Sequence, residues 1–183
     1  MRRFENQVAI VTGAGTGIGE AIAHKLAKEG AKVVANSLPY DPLDDVVSSI
    51  KDYGGEATAF CGDVSEEEVA LECVKTAIDH YGKLNILINN AGVFLAVAET
   101  QDYPLEAFDR TLRLNLRSAF LMTKFALPHL QKTRGNIVCA GSEAGFNGLA
   151  QNTPYGGTKG WMHSFVGVAS LRDDLIVIMN EMS

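Results

Sequence analysis

The sequence lacks three features that mark particular classes of protein: a basic run, a long apolar stretch and an even set of cysteines. The formal net charge is −6, so neither a nucleic acid nor an anionic membrane is expected as a partner. No apolar stretch approaches a membrane span, and Met1–Arg3 leads into a strand rather than a signal-peptide core. We therefore expect a cytoplasmic protein.

The three cysteines lie in or beside predicted core elements, which favours buried free thiols over disulfides or metal ligation. They are Cys61, Cys73 and Cys139. The four histidines show no ligand spacing and are expected on helix surfaces, so no metal site is predicted.

Apolar runs and helical patterns alternate along the chain, without repeats, low-complexity segments or linkers. Strands are predicted at Gln7–Val11, Lys32–Asn36, Glu56–Cys61, Leu84–Asn89 and Gly135–Cys139, with a sixth possible at Leu175–Met179. Helices are predicted at Gly17–Glu29, Pro42–Tyr53, Glu66–Tyr81, Pro104–Gln131 (in two pieces) and Thr153–Arg172. Asp41 before Pro42, and Ser65 with Glu68 as a capping box, mark two helix starts. The pattern predicts one domain over residues 1–183, a three-layer α/β/α fold with a Rossmann-like doubly wound parallel sheet.

A glycine-rich turn separates the first predicted strand from the first helix. It reads Thr12-Gly13-Ala14-Gly15-Thr16-Gly17-Ile18-Gly19, and the spacing G-x-x-x-G-x-G differs from the usual dinucleotide fingerprint. In a strand–turn–helix context, glycines let the backbone approach a pyrophosphate, and the helix N-terminus offers N–H groups to it. We therefore predict nucleotide binding here.

Tyr155 and Lys159 are one helical turn apart, which puts the phenol and the ammonium on one helix face. At about 5 Å and an effective dielectric of about 20, the ammonium favours a phenolate by roughly 3 kcal/mol. The pair could therefore transfer protons near neutral pH. Such a pair could also be the edge of an amphipathic helix, and the upstream motifs favour the chemical interpretation.

Taken together, the glycine spacing and the Tyr-x-x-x-Lys motif resemble the short-chain dehydrogenase/reductase family over nearly the whole chain. The other motif residues of that family are matched in this sequence, in the same order along the chain. They are Asp63 for the adenine ring, Asn89-Asn90-Ala91-Gly92 after the fourth strand, Asn115 in the active site, and Ser142 thirteen residues before Tyr155.

The resemblance implies an NAD(P)-dependent oxidoreductase that interconverts a secondary alcohol and a carbonyl, of a 3-oxoacyl, sugar or steroid-like class. Tyr155 would transfer the proton, Lys159 would assist it and hold the nicotinamide ribose, Ser142 would bind the substrate oxygen, and Asn115 would anchor a water of a proton path. The predicted cofactor-binding residues are Gly13, Thr16, Gly17, Ile18, Gly19, Ser37, Asp63, Val64, Asn90, Ala91, Gly92, Tyr155 and Lys159. Ser142 could instead satisfy local backbone, and Asn115 could bend the long helix.

The end of the second strand bears on the choice between NAD and NADP. NAD enzymes are expected to carry an acid there, and NADP enzymes a nearby base. The chain has Asn36-Ser37-Leu38 there and Thr16 in the glycine turn. The missing carboxylate slightly favours NADP or dual use.

The family continues beyond the Tyr155 helix through a substrate loop and a seventh strand, whereas Arg172-Asp173-Asp174 breaks the helix here and the sequence stops at Ser183. The last strand is therefore expected to be missing, and this chain is expected to bind NAD(P) better than it turns over substrate. The alternative is a catalytically impaired nucleotide-binding or interaction module. A homodimer or homotetramer is expected through a broad apolar helix face. That face comprises Leu114, Leu116, Phe120, Met122, Phe125 and Leu127.

Overall fold

The computed structural model describes residues 2–169 and 176–180. Six parallel strands form its sheet. They are β1 (Val8–Thr12), β2 (Lys32–Ser37), β3 (Glu56–Cys61), β4 (Ile86–Asn89), β5 (Asn136–Ala140) and β6 (Ile176–Asn180). The helices are α1 (Gly17–Lys28), α2 (Leu43–Asp52), α3 (Glu67–Tyr81), α4 (Leu105–Leu112), α5 (Ser118–Thr133) and α6 (Thr153–Ala169). No helix in these ranges is long and apolar enough to cross a membrane.

The spatial order of the strands is β3-β2-β1-β4-β5-β6, so the winding reverses direction between β1 and β4. Val11 of β1 pairs with Ala35 of β2 on one side and with Ile88 of β4 on the other. Ligands of open α/β sheets bind beyond the carboxyl ends of the strands at such a reversal. The doubly wound fold predicted from the sequence is confirmed, and its topology places the candidate site after β1 and β4.

Each face of the sheet has its own apolar core. Val8 and Ile10 of β1 pack into the core with α3, α5 and α6, whereas Ala9 and Val11 pack into the core with α1 and α2. Alternate residues of a strand point to opposite faces, so a strand buried on both sides must be apolar throughout. This requirement explains the continuous apolar run that identified β1.

The long helix predicted at Pro104–Gln131 forms as α4 and α5 joined by a π-helical segment, Arg113–Arg117. One extra residue per turn rotates the side chains that follow it, and such segments often occur at functional sites. Asn115 lies in this segment. The predicted helix end at Arg172 lies outside the described residues.

Two predictions about buried and exposed side chains are wrong in part. Cys73 and Cys139 are buried free thiols, but Cys61 at the end of β3 is exposed. The His163 ring is not on a helix surface, because it packs against Phe146, and neither ring nitrogen has a hydrogen-bond partner among the described residues.

The apolar face predicted to bind a partner is smaller than expected. Leu114 and Met122 are buried within the chain's own fold, whereas Phe120 is 48% exposed. Leu116, Phe125 and Leu127 are partly buried. The pattern was ambiguous because a helix packed beside two neighbours is apolar on more than one face.

Candidate active site

A cleft of about 490 Å³ opens at the carboxyl ends of the central strands. Every residue predicted to bind a cofactor lines it, namely Gly13, Thr16, Gly17, Ile18, Gly19, Ser37, Asp63, Val64, Asn90, Ala91, Gly92, Tyr155 and Lys159. The cleft is also lined by residues that were not predicted to bind a cofactor, which are Asn36, Leu38, Tyr40, Asp41, Gly62, Val93, Phe94, Leu114 and Ser118. The predicted cofactor-binding residues therefore lie together in one cleft.

The glycine turn forms one end of the cleft. Helix α1 begins after Thr16, whose side chain makes no capping hydrogen bond, so the first amides of the helix have no side-chain partner there. A Cβ atom on Gly19 would collide with the carbonyl oxygen of Gly13, and therefore the turn closes this tightly only with glycine. The result is a narrow backbone cradle at a helix N-terminus, a suitable site for an anion.

Thr12 and Asn90 fix this turn against β4. The Thr12 hydroxyl oxygen accepts hydrogen bonds from the backbone N–H groups of Asn90 and Ala91, both at 3.0 Å. The Asn90 side chain donates to the carbonyl oxygens of Thr12 (3.0 Å) and Gly13 (3.3 Å). Thr12 is 1% exposed, so these bonds lie away from solvent. Its role was missed because one threonine at a strand end carries no periodic signal.

Asp63 lies in the cleft after β3. One carboxylate oxygen accepts from the backbone N–H of Ser65 (2.9 Å) and from its hydroxyl (2.6 Å). The other oxygen is 3.2 Å from the Arg113 guanidinium. The predicted capping box is wrong, since the first residue before α3 is Glu66 and the Ser65 hydroxyl is bound to Asp63.

An acid that the sequence pattern did not predict, Asp41, lies against the end of β2. The Asn36 amide donates to the carbonyl oxygens of Phe60 and Gly62, so it holds β3. Ser37 instead donates its hydroxyl to the carboxylate of Asp41, which also lines the cleft. The expectation that no carboxylate stands here is therefore wrong, because the loop after β2 folds back onto the strand end.

Tyr155 and Lys159 form the other end of the cleft on α6. The Lys159 ammonium lies 5.5 Å from the centre of the Tyr155 ring and donates to the carbonyl oxygen of Ala140 at 2.6 Å. Lys159 is 7% exposed, and burial lowers the pKa of its ammonium, while the nearby Cys139 opposes that shift. The Phe94 ring packs edge-on against Tyr155, with 5.3 Å between ring centres.

Asn115 lies behind the cleft rather than in its lining. Its side chain accepts from the backbone N–H of Val93 (2.6 Å) and donates to the Val93 carbonyl oxygen (2.9 Å). It also donates to the Thr158 hydroxyl at 3.3 Å. Asn115 is 2% exposed and therefore joins the loop after β4 to the helix that carries Lys159.

Ser142 follows β5 and is also absent from the lining of the cleft. Its hydroxyl oxygen accepts from the backbone N–H of Ala144 at 3.2 Å and caps a short 3₁₀ turn at Glu143–Gly145. A hydroxyl that accepts one bond still has a proton to donate. The local backbone role considered for Ser142 is thus present, and among residues 2–169 and 176–180 no acceptor for its proton is found.

The sequence is similar to a known protein family over most of its length. A family model described as short chain dehydrogenase matches residues 7–176. Elsinochrome reductase 1 of Elsinoe fawcettii is 40% identical over 166 residues, which are 90% of this chain and 61% of that protein. The uncharacterized oxidoreductase YxbG of Bacillus subtilis is 36% identical over 87% of this chain and 59% of its own length. The chain therefore spans about three fifths of the curated relatives it matches.

Two solved structures share the fold along nearly all of the chain. A metagenomic short-chain oxidoreductase in complex with NADP superposes with a TM-score of 0.92 at 29% identity, covering 97% of this chain and 82% of that one. NAD⁺-bound xylitol dehydrogenase superposes with the same score of 0.92 at 32% identity, covering 98% of this chain and 71% of that one.

Proposed function

The chain belongs to the short chain dehydrogenase family, and from that premise we propose that it is an NAD(P)-dependent oxidoreductase interconverting a secondary alcohol and a carbonyl compound. The observation that carries the proposal is that one cleft contains both the glycine turn, at one end, and Tyr155 with Lys159, at the other.

The residues of the cleft fit a dinucleotide. The cradle closed by Gly19, at the N-terminus of α1, would receive the pyrophosphate. The Asp63 carboxylate could accept a hydrogen bond from the adenine. Asn90 and Ala91 line the same cleft and are bonded to the residues at the start of the glycine turn. When bound, the nicotinamide supplies or accepts a hydride.

We propose that Tyr155 moves the proton at the substrate oxygen, as acid in reduction and as base in oxidation. Lys159 stands beside its ring, and the bond to Ala140 holds the ammonium in place. The Ser142 O–H, which has no acceptor in the described part of the chain, could donate to the same oxygen and stabilise its developing charge. Asn115 would act as a positioning residue, because its amide joins the Val93 loop to Thr158, next to Lys159.

The proposed substrate is a small carbonyl or alcohol of the 3-oxoacyl, sugar or steroid-like class. Phe94 is 51% exposed and offers an apolar surface next to Tyr155, which supports a substrate with an apolar face near the reacting carbon. We also propose a homo-oligomer through α5, where Phe120 is the largely exposed member of the predicted apolar face.

The test is reduction of one ketone from each class with NADH and with NADPH, by the parent chain and by Tyr155→Phe. We expect the variant to lose turnover by about 10²- to 10⁴-fold, the usual contribution of a general acid. Cofactor binding, measured by calorimetry, should change little because the ring stays. Equal turnover in the two proteins would contradict the role of Tyr155. Binding without turnover in the parent would favour the impaired nucleotide-binding module.

A further inference from the structure

The loop between β2 and α2 forms one wall of the cleft next to the glycine turn. Leu38, Tyr40 and Asp41 from this loop line the cleft. The sequence predicted a helix start at Asp41, but Pro42 is the residue before α2, and the Asp41 carboxylate is bound by Ser37 instead. The backbone N–H of Asp41 donates to the Leu38 carbonyl oxygen at 3.0 Å, and Leu43 donates to the Asp41 carbonyl oxygen at 2.8 Å. A tight turn therefore fixes the position of Asp41 before the helix starts.

The Asp41 side chain is held against the glycine turn. The Ser37 hydroxyl donates to one of its carboxylate oxygens, and Ser37 itself is 4% exposed. A Cβ atom on Gly15 would lie 2.7 Å from the Asp41 Cβ and 2.8 Å from the Ser37 hydroxyl oxygen. Gly15 thus gives the carboxylate room to sit directly on the turn that would cradle a pyrophosphate.

The cleft lining offers no cation near this carboxylate. Among the described residues that line the cleft, Lys159 is the one cationic side chain, and it stands at the opposite end on α6. The other lining acid, Asp63, is already paired with Arg113. A phosphate ester brought to the Ser37–Asp41 corner would meet negative charge without a counterion.

We propose that Asp41 is the specificity-determining residue for the cofactor and selects NAD over NADP. Its carboxylate accepts hydrogen bonds from the adenosine ribose hydroxyls, as an acid at this edge of a dinucleotide fold does, and it repels a phosphate on that ribose. Asp41 is the fourth residue after the end of β2, whereas the sequence pattern places the acid at the strand end itself. This inference rests on the proposed nucleotide cofactor and reverses the slight preference for NADP drawn from the sequence.

The test is calorimetric titration of the parent, Asp41→Asn and Asp44→Asn with NADH and with NADPH. Asp44 is an exposed acid in the first turn of α2 and does not line the cleft, so it controls for the change in net charge. We expect the parent to bind NADH about tenfold or more tightly than NADPH, the scale of one unfavourable charge contact. Asp41→Asn should reduce that ratio about tenfold, and Asp44→Asn should leave it unchanged.

A second variant, Ser37→Ala, frees the carboxylate without removing it and should lower NADH affinity a few-fold. Circular dichroism of each variant checks its folding, and the parent's ratio tests the proposal even where a variant does not fold. A parent that binds NADPH as tightly as NADH overturns the inference while keeping the proposed oxidoreductase. A parent that binds neither nucleotide overturns both.

Discussion

The two ends of the cleft are built in different ways. At the glycine turn, partly buried backbone and side-chain hydrogen bonds between Thr12 and Asn90 hold the geometry. At the Tyr155 end, the neighbouring loops carry exposed apolar side chains, including Phe94, Phe146 and Leu149, each more than half exposed. Under the proposed function, nucleotide binding would depend mainly on backbone shape, whereas proton transfer would depend on a few side chains. Substitutions should therefore separate the two properties.

The largest effect is expected at the backbone-built end, from Gly19→Ala. The added methyl group collides with the Gly13 carbonyl, and overpacking of this kind costs about 1–3 kcal/mol of unfolding free energy. Because the turn must open, NADH affinity should fall by about tenfold or more. Urea unfolding and calorimetry measure the two quantities.

Gly167→Ala is the matched control, since a Cβ atom there meets no described residue within 4 Å and the position lies in α6. It should leave NADH affinity unchanged and stabilise the fold by about 0.4–1 kcal/mol. If Gly19→Ala and Gly167→Ala had the same unfolding free energy and the same NADH affinity, the tight closure of the glycine turn would contribute neither to stability nor to binding.

An intermediate effect is expected from Asn115→Ala, which disconnects the loop after β4 from α6. The backbone N–H and carbonyl of Val93 lose their partner, and because both bonds are only partly buried the cost should lie at the lower end of the usual range, about 1 kcal/mol of unfolding free energy. Turnover should fall more than cofactor affinity, because the residues that move lie at the Tyr155 end. Asn147→Ala, at an exposed position, is the control and should change neither. A larger loss of affinity than of turnover would contradict the separation of the two ends.

The smallest effect concerns Cys139, under the Tyr155 end. Burial raises the pKa of its thiol to about 11, well above the value near 8.5 of an unfolded cysteine. A raised folded pKa means that this stabilisation is complete below about pH 8.5 and is lost as the pH rises toward 11. The loss between pH 8 and 9.5 should be on the order of 1 kcal/mol.

The measurement is the unfolding free energy at the two pH values in the parent, Cys139→Ala and Cys61→Ser. Cys139→Ala should remove only part of the pH dependence, because burial also raises the pKa of the Cys73 thiol, which stays in place, whereas the exposed Cys61 should not affect it. A parent-like slope in Cys139→Ala would show that another group sets the alkaline stability.

Sequence patterns predicted the elements that carry strong periodicity and missed contacts made by loops. The bounds of β3, Glu56–Cys61, agree between prediction and structure because its flanking turn residues are clear. Asp41 was missed because the fold of a loop, rather than its spacing, brings the carboxylate to Ser37. The capping box does not form at Ser65 because the Asp63 carboxylate accepts the Ser65 backbone N–H, the donor that Glu68 would need, and because α3 begins one residue later than predicted, after Glu66. Local patterns do not reveal such competition between acceptors.

The most direct test of the account is hydrogen exchange of the backbone amides with and without NADH. One nucleotide should slow exchange at both ends of the cleft, in residues 13–19 and 90–93 and around Tyr155. Helix α2 beyond Asp44 does not line the cleft and should exchange at the same rate in both samples. Protection at the glycine turn and at α6 together is the result we predict. Protection that spares the glycine turn, or that appears only outside the cleft, would contradict a dinucleotide site that joins these two regions.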